Sequence, residues 1–189
     1  MKTKFLHIAT ALLFAGFTSS CSDFLDRYPL DELSDSSFWK TENDAMMAVT
    51  DIYGCLPTWD QDEDINSDNA VHGIKWAAGN ISKGIYDPMD QSWAGSYTPI
   101  RQCNLVLEKV KDIEMSDESR KKIEGQAYFF RAFVYFNLIR SFGDVPYIDK
   151  PLNLTDVEDI TRTPREEVYA KVMADFDKAI EYLPEEWDA

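Results

Sequence analysis

The chain has 189 residues, of which 44% are hydrophobic and 13% aromatic, enough for one domain with a sizeable core and too apolar for general disorder. Its net charge is −15, and all 34 acidic residues lie beyond residue 20. An acidic body repels phosphate backbones and offers no basic patch to anionic lipid, so nucleic acid is excluded as the expected partner and the acidity reads as solubility.

Residues 1–20 read as a signal peptide rather than as part of the fold. Lys2 and Lys4 form a positive start, and Ile8 to Phe17 an apolar stretch too short to span a bilayer. Small residues Thr18, Ser19 and Ser20 then precede Cys21, whose thiol is the expected lipidation site, although Thr18 stands where a lipobox usually has leucine. Residues 21–40 read as an extended leader with turn residues at Pro29 and Ser34, and residues 41–189 as a helical domain.

Thr41 is the expected cap of a first helix, with Asp44 three residues on. Ala45, Val49, Ile52 and Leu56 line one face, and Pro57 ends it. Trp59 to Gly95 is different in kind: it has no sustained period and is rich in Asp, Asn and Gly, yet holds Trp59, Trp76, Tyr86 and Trp93. A loop of that length inside a domain is usually functional, and its aromatics argue against disorder.

Thr98 with Pro99 reads as the start of the next helix, with Ile100, Cys103, Leu107 and Val110 facing inward. Cys55 and Cys103 could pair in an exported protein or remain two buried thiols. Their phase with the apolar stripes favours the second.

Ser116, Asp117 and Glu118 open a helix that is apolar on nearly every face from Ile123 to Phe142. Tyr128, Ala132, Tyr135, Ile139 and Phe142 form one stripe and Ala127, Phe130, Val134 and Leu138 a second, with Phe129, Phe133 and Phe136 between them. Such a helix is buried on several sides or lies in a membrane, and Arg131 near its centre argues against the membrane. Gly143 and Pro146 stop it. After a connecting segment, Thr163, Pro164 and Glu166 carry the signature of a capped start, and Val168, Val172, Phe176, Ala179 and Leu183 form the last stripe before Pro184.

The very short turn between the helices at 98–113 and 116–142 makes them antiparallel neighbours. Phe176, Ala179 and Pro184 match the ending of a tetratricopeptide repeat. The fold expected is all-α, with tetratricopeptide-like antiparallel helix pairs and a long irregular loop insertion.

Catalytic signatures are few. His7 lies in the leader, and His72 has no cysteine at ligand spacing for zinc. There is no nucleophile elbow, P-loop or dinucleotide fingerprint. The oxygen-bearing side chains of Asp60, Asp62, Asp64, Asn66 and Asp68 alternate as in calcium loops, but Ile65 and Val71 stand where an EF-hand needs glycine and glutamate. Neither a metal nor a cofactor is expected. The best binding candidates are Trp59, Trp76 and Tyr86, because a rigid aromatic ring buries the flat C–H face of a sugar at little entropic cost. Trp39, Trp93 and Tyr97 read as structural.

Phe129 to Leu138 followed by Arg140-Ser-Phe-Gly-Asp-Val-Pro146 closely resembles the signature of the SusD/RagB family of Bacteroidetes surface lipoproteins. The likeness extends to Cys21–Asp26 with Pro29, Phe38–Thr41, Trp93–Asn104 and Thr161–Pro184, and family members are much longer, so this chain corresponds to their N-terminal part. The resemblance implies lipidation at Cys21 and a leader that packs Phe38 and Trp39 against the body. It implies a helical-pair scaffold and a non-catalytic glycan or nutrient binder, starch-binding proteins being among its members. The implied place is the outer-membrane surface, with a SusC-like TonB-dependent transporter as partner. A lipidated helical-repeat scaffold binding only protein and a surface carbohydrate hydrolase are the rival functions.

Overall fold

The computed structural model of the chain describes residues 38–56, 93–157 and 159–187. The chain divides into two units, Met1–Phe38 and Trp39–Ala189, and all four helices below belong to the second. They are α1 (Glu42–Ile52), α2 (Trp93–Lys109), α3 (Asp117–Phe142) and α4 (Arg165–Tyr182). Among the described residues the sole β-type pairing is an isolated antiparallel bridge between Val145 and Thr163.

α1 starts as its sequence dictates. Thr41 is extended, its hydroxyl accepts from the Asp44 amide, and the Asp44 carboxylate accepts from the Thr41 amide at 2.8 Å. These two bonds satisfy donors that a helix start leaves orphaned. Ala45, Val49 and Ile52 are fully buried. The helix then tightens into a 3₁₀ turn, Tyr53–Cys55, so Leu56 leaves the stripe expected of it and is exposed.

α2 begins earlier than Thr98, the expected cap. The helix runs from Trp93 through Pro99, which lies inside it and is buried. Tertiary anchors account for this: Trp93 meets the Phe142 ring edge-on at 4.8 Å, and the Tyr97 hydroxyl donates to the Pro146 carbonyl at 3.0 Å. Packing of this kind outweighs the local preference of proline for a first turn. The roles expected of Trp93 and Tyr97 are therefore met, and Trp39 also packs against the core.

α3 is the centre of the stack. Ser116 caps it by accepting from the Ser119 amide at 3.0 Å, and Gly143 ends it with φ +70, a left-handed conformation that glycine adopts without steric cost. Its N-terminal half joins α1 and the end of α2 around Val49, Val106, Ile123 and Phe130. Its C-terminal half joins the start of α2 and α4 around Ile100, Tyr135, Leu138 and Val168. The helix is buried on several sides, as expected, but not at every apolar position. Phe129 and Phe136 remain exposed, at 37% and 43%, although Phe129 meets the Phe176 ring of α4 edge-on at 5.9 Å.

α4 packs along α3, and Val168, Val172 and Ala179 are buried. Its start differs from the expected capping box. Pro164 flanks the helix without a side-chain cap, and Asp144, from beyond the end of α3, accepts from the Arg165 amide at 2.9 Å. Thr163 is held in the bridge to Val145, so its backbone serves that pairing instead. At the other end α4 comes close to α3 over Gly125, where any Cβ would sit 2.9 Å from Leu183 Cγ and 3.1 Å from Tyr182 Cβ. Glycine costs about 1 kcal/mol in a helix interior, and here it permits that contact.

Candidate functional site

A groove of about 910 Å³ opens between α1, α2 and α3. Asp51 and Cys55 line it from α1 and its following turn, Gly95, Pro99 and Gln102 from α2, and Phe133, Phe136 and Asn137 from α3. Described residues close to both ends of segment 57–92, Cys55 before it and Gly95 after it, meet at this groove.

The wall chemistry follows from the helices. The Gln102 amide donates to Asp51 Oδ2 at 2.6 Å, which locks two planar groups together across α1 and α2. Asn137 uses Nδ2 on the Phe133 carbonyl, at 3.0 Å, leaving Oδ1 as an acceptor. Pro99 has no N–H to give the carbonyl four residues before it, so Gly95 loses its usual helical donor at the exposed rim. The apolar part of the wall is Phe133 with Phe136, whose ring stacks on no other described ring.

α2, α3 and α4 also share a buried polar hub that was not among the sequence expectations. Arg131 donates from Nε and one terminal nitrogen to both carboxylate oxygens of Asp175, each at 2.7 Å. Its other terminal nitrogen donates to Asn104 Oδ1 at 2.8 Å. Asn104 in turn donates to the Ile148 carbonyl at 2.9 Å, and the Tyr135 hydroxyl accepts from the Ile148 amide at 2.7 Å. Burial opposes the Arg131 charge, but the hydrogen bonds and charge of Asp175 more than offset it, so the guanidinium pKa stands above its ordinary value. Every partner is satisfied, and the hub reads as structural. Its signal was present, since an arginine amid phenylalanines demands a buried acid.

Cys55 and Cys103 are both free thiols. Cys103 is wholly buried, and burial pushes its pKa up to about 12, with the Arg131 charge opposing. Burial also raises the Cys55 thiol. Thiols kept protonated are poor nucleophiles and poor metal ligands. Among the described residues no three His, Cys, Asp or Glu side chains gather as a cage for a metal ion, and no helix is long and apolar enough to cross a membrane.

The remaining sequence candidates lie elsewhere. Cys21, Trp59, Trp76, Tyr86, His72 and the alternating Asp and Asn residues of 60–68 fall outside the described residues.

Residues 23–189 match a sequence family, SusD-like, described as starch-binding and associating with the outer membrane. The chain belongs to the SusD-like family. A SusD-like protein of Formosa agariphila, P2, is 30% identical over 199 residues, covering 97% of this chain and 38% of that protein. One from Bacteroides ovatus is 26% identical, covering 100% of this chain and 36% of the relative. The chain thus spans little more than a third of the relatives it matches. Among solved structures, a SusD-like protein of Bacteroides fragilis superimposes with a TM-score of 0.72 at 25% identity, over 86% of this chain and 34% of that one. A laminarin-binding SusD-like protein gives 0.68 at 24% identity, over 77% and 35%. The all-α, tetratricopeptide-like architecture expected of SusD-like chains is the one found.

Proposed function

We propose that this chain is part of a non-catalytic, glycan-binding lipoprotein of the outer-membrane surface. In this reading it captures oligosaccharide for a SusC-like TonB-dependent transporter, with Cys21 carrying the lipid anchor. The observation that carries the reading is the match of residues 23–189 to a family described as starch-binding and associating with the outer membrane. The groove between α1, α2 and α3 supports it, because an exposed ring beside fixed planar acceptors is the chemistry that recognises sugars. No bond need be broken. The protein raises the local concentration of ligand at the transporter, a task for which modest affinity suffices.

The test is calorimetry of the full-length protein against soluble polysaccharides. Replacing Trp59, Trp76 and Tyr86 together by alanine is expected to weaken binding, each stacking ring being worth about 1–3 kcal/mol by analogy with other aromatic platforms. Wild-type protein that bound none of a broad glycan panel would reject the reading. Co-purification of a β-barrel transporter with the lipidated protein tests the partner.

A second reading, a helical scaffold for protein contacts, draws on α4. Tyr169, Met173 and Ile180 lie on its surface at helical spacing, and Ile180 is 78% exposed. A partner that covered this face in pull-downs, without any glycan affinity, would favour it.

A further inference from the structure

We propose that the groove between α1, α2 and α3 is itself a saccharide subsite for an uncharged glycan, with Phe136 as its stacking ring. The proposal rests on the glycan-binding reading and adds to it a place and a ligand class. Phe136 is a large apolar side chain at 43% exposure on a helix whose neighbouring large side chains, Phe130, Tyr135 and Leu138, are buried. A phenyl ring left open to water is costly in apolar surface, and the C–H face of a pyranose is a partner that such a ring can cover.

The polar groups around the ring set the ligand's class. Gln102 spends one amide hydrogen on Asp51 and Asn137 one on the Phe133 carbonyl, so Gln102 Oε1, Asp51 Oδ1 and Asn137 Oδ1 remain acceptors, beside the second hydrogen of each amide. The Gly95 carbonyl, deprived of its helical donor by Pro99, is a further acceptor in the same groove. Acceptors held rigid on helices suit a ligand that brings many O–H donors. A uronate or sulfate would set its own charge against the Asp51 carboxylate and against a chain of net charge −15. Arg140, also in the lining, provides one opposite charge and does not reverse that balance. The volume, about 910 Å³, falls within the usual range for small-ligand sites.

The experiment uses the full-length protein, with laminarin and soluble starch as neutral probes and alginate as the anionic one. Phe136→Ala is expected to weaken the neutral glycan that binds by about tenfold, the scale of one lost stacking ring. Phe136→Trp should retain binding, and the thermal midpoint of both variants should match the wild type. Three results would overturn the proposal. In the first, Phe136→Ala binds as wild type while the Trp59/Trp76/Tyr86 triple variant does not, which leaves the glycan reading standing with its site elsewhere. In the second, Phe136→Ala loses both stability and binding and Phe136→Trp restores neither, which makes the ring a packing element covered by polypeptide. In the third, alginate binds more tightly than both neutral probes. Wild-type protein that bound none of the three would remove the subsite together with the reading beneath it.

Discussion

Removing one partner of the Arg131–Asp175 pair isolates a charge in the interior. Both side chains are nearly out of water, at 7% and 8% exposure, and the pairing is bidentate. Asp175→Asn keeps the shape but leaves the guanidinium without a counter-charge, while Arg131→Met leaves a buried carboxylate and an undonated Asn104 oxygen. Breaking such a pair costs about 3–5 kcal/mol. At roughly 2–4 °C per kcal/mol for a domain of this size, the thermal midpoint should fall by about 10 °C. The double variant Arg131→Met/Asp175→Leu carries neither orphan charge and should cost less than either single change, because its remaining defect is one unmet amide oxygen. Urea titration followed by far-UV circular dichroism on the four proteins closes a double-mutant cycle. If the double variant showed the simple sum of the two single losses, or if Asp175→Asn lost under about 1 kcal/mol, the hub would not be the electrostatic unit described.

Phe130 is buried in the first core cluster with Tyr53 edge-on at 4.6 Å, so Phe130→Ala should cost about 3–5 kcal/mol, measured by the same urea titration. Alkaline pH should unfold the protein through its tyrosines. Burial raises Tyr97 and Tyr147 to about 12 and raises Tyr135 as well, so their contribution is complete below the ordinary tyrosine value near 10 and is lost as pH climbs toward the folded values. Tyr135→Phe should flatten that alkaline limb in a pH series of thermal melts. Cys21→Ala should release the full-length protein from the membrane fraction and lower its mass by the acyl groups, since several chains are needed for stable anchoring.

Features written within a few residues of one another were legible in the sequence. The Thr41–Asp44 box and the Ser116 cap both formed because all their partners lie within one turn. Thr98 and Thr163 carried equally good local signals and lost to contacts from far along the chain: Phe142 and Pro146 hold the turns before Thr98, and Val145 takes up Thr163. Asp175 looked like one more solvated acid on an amphipathic helix. Its role depends on Arg131, 44 residues earlier, and on a helix register that periodicity alone does not fix. Phe136 failed in the opposite sense, since an aromatic in a greasy run reads as core until the neighbouring helices show which side they leave bare.

The hub around Arg131 also bears on the order in which the chain can fold. Its guanidinium needs Asp175 from α4, Asn104 from α2 and the segment near Ile148, which are brought together only when all three helices have docked. A half-assembled stack of α2 and α3 would hold that charge in an apolar setting with its main counter-charge still in the unfolded remainder. Such an intermediate is penalised, and the last helix to arrive removes the penalty in one step. The buried arginine thus works against partly folded forms as well as supporting the folded one, and so favours cooperative over stepwise loss of these helices.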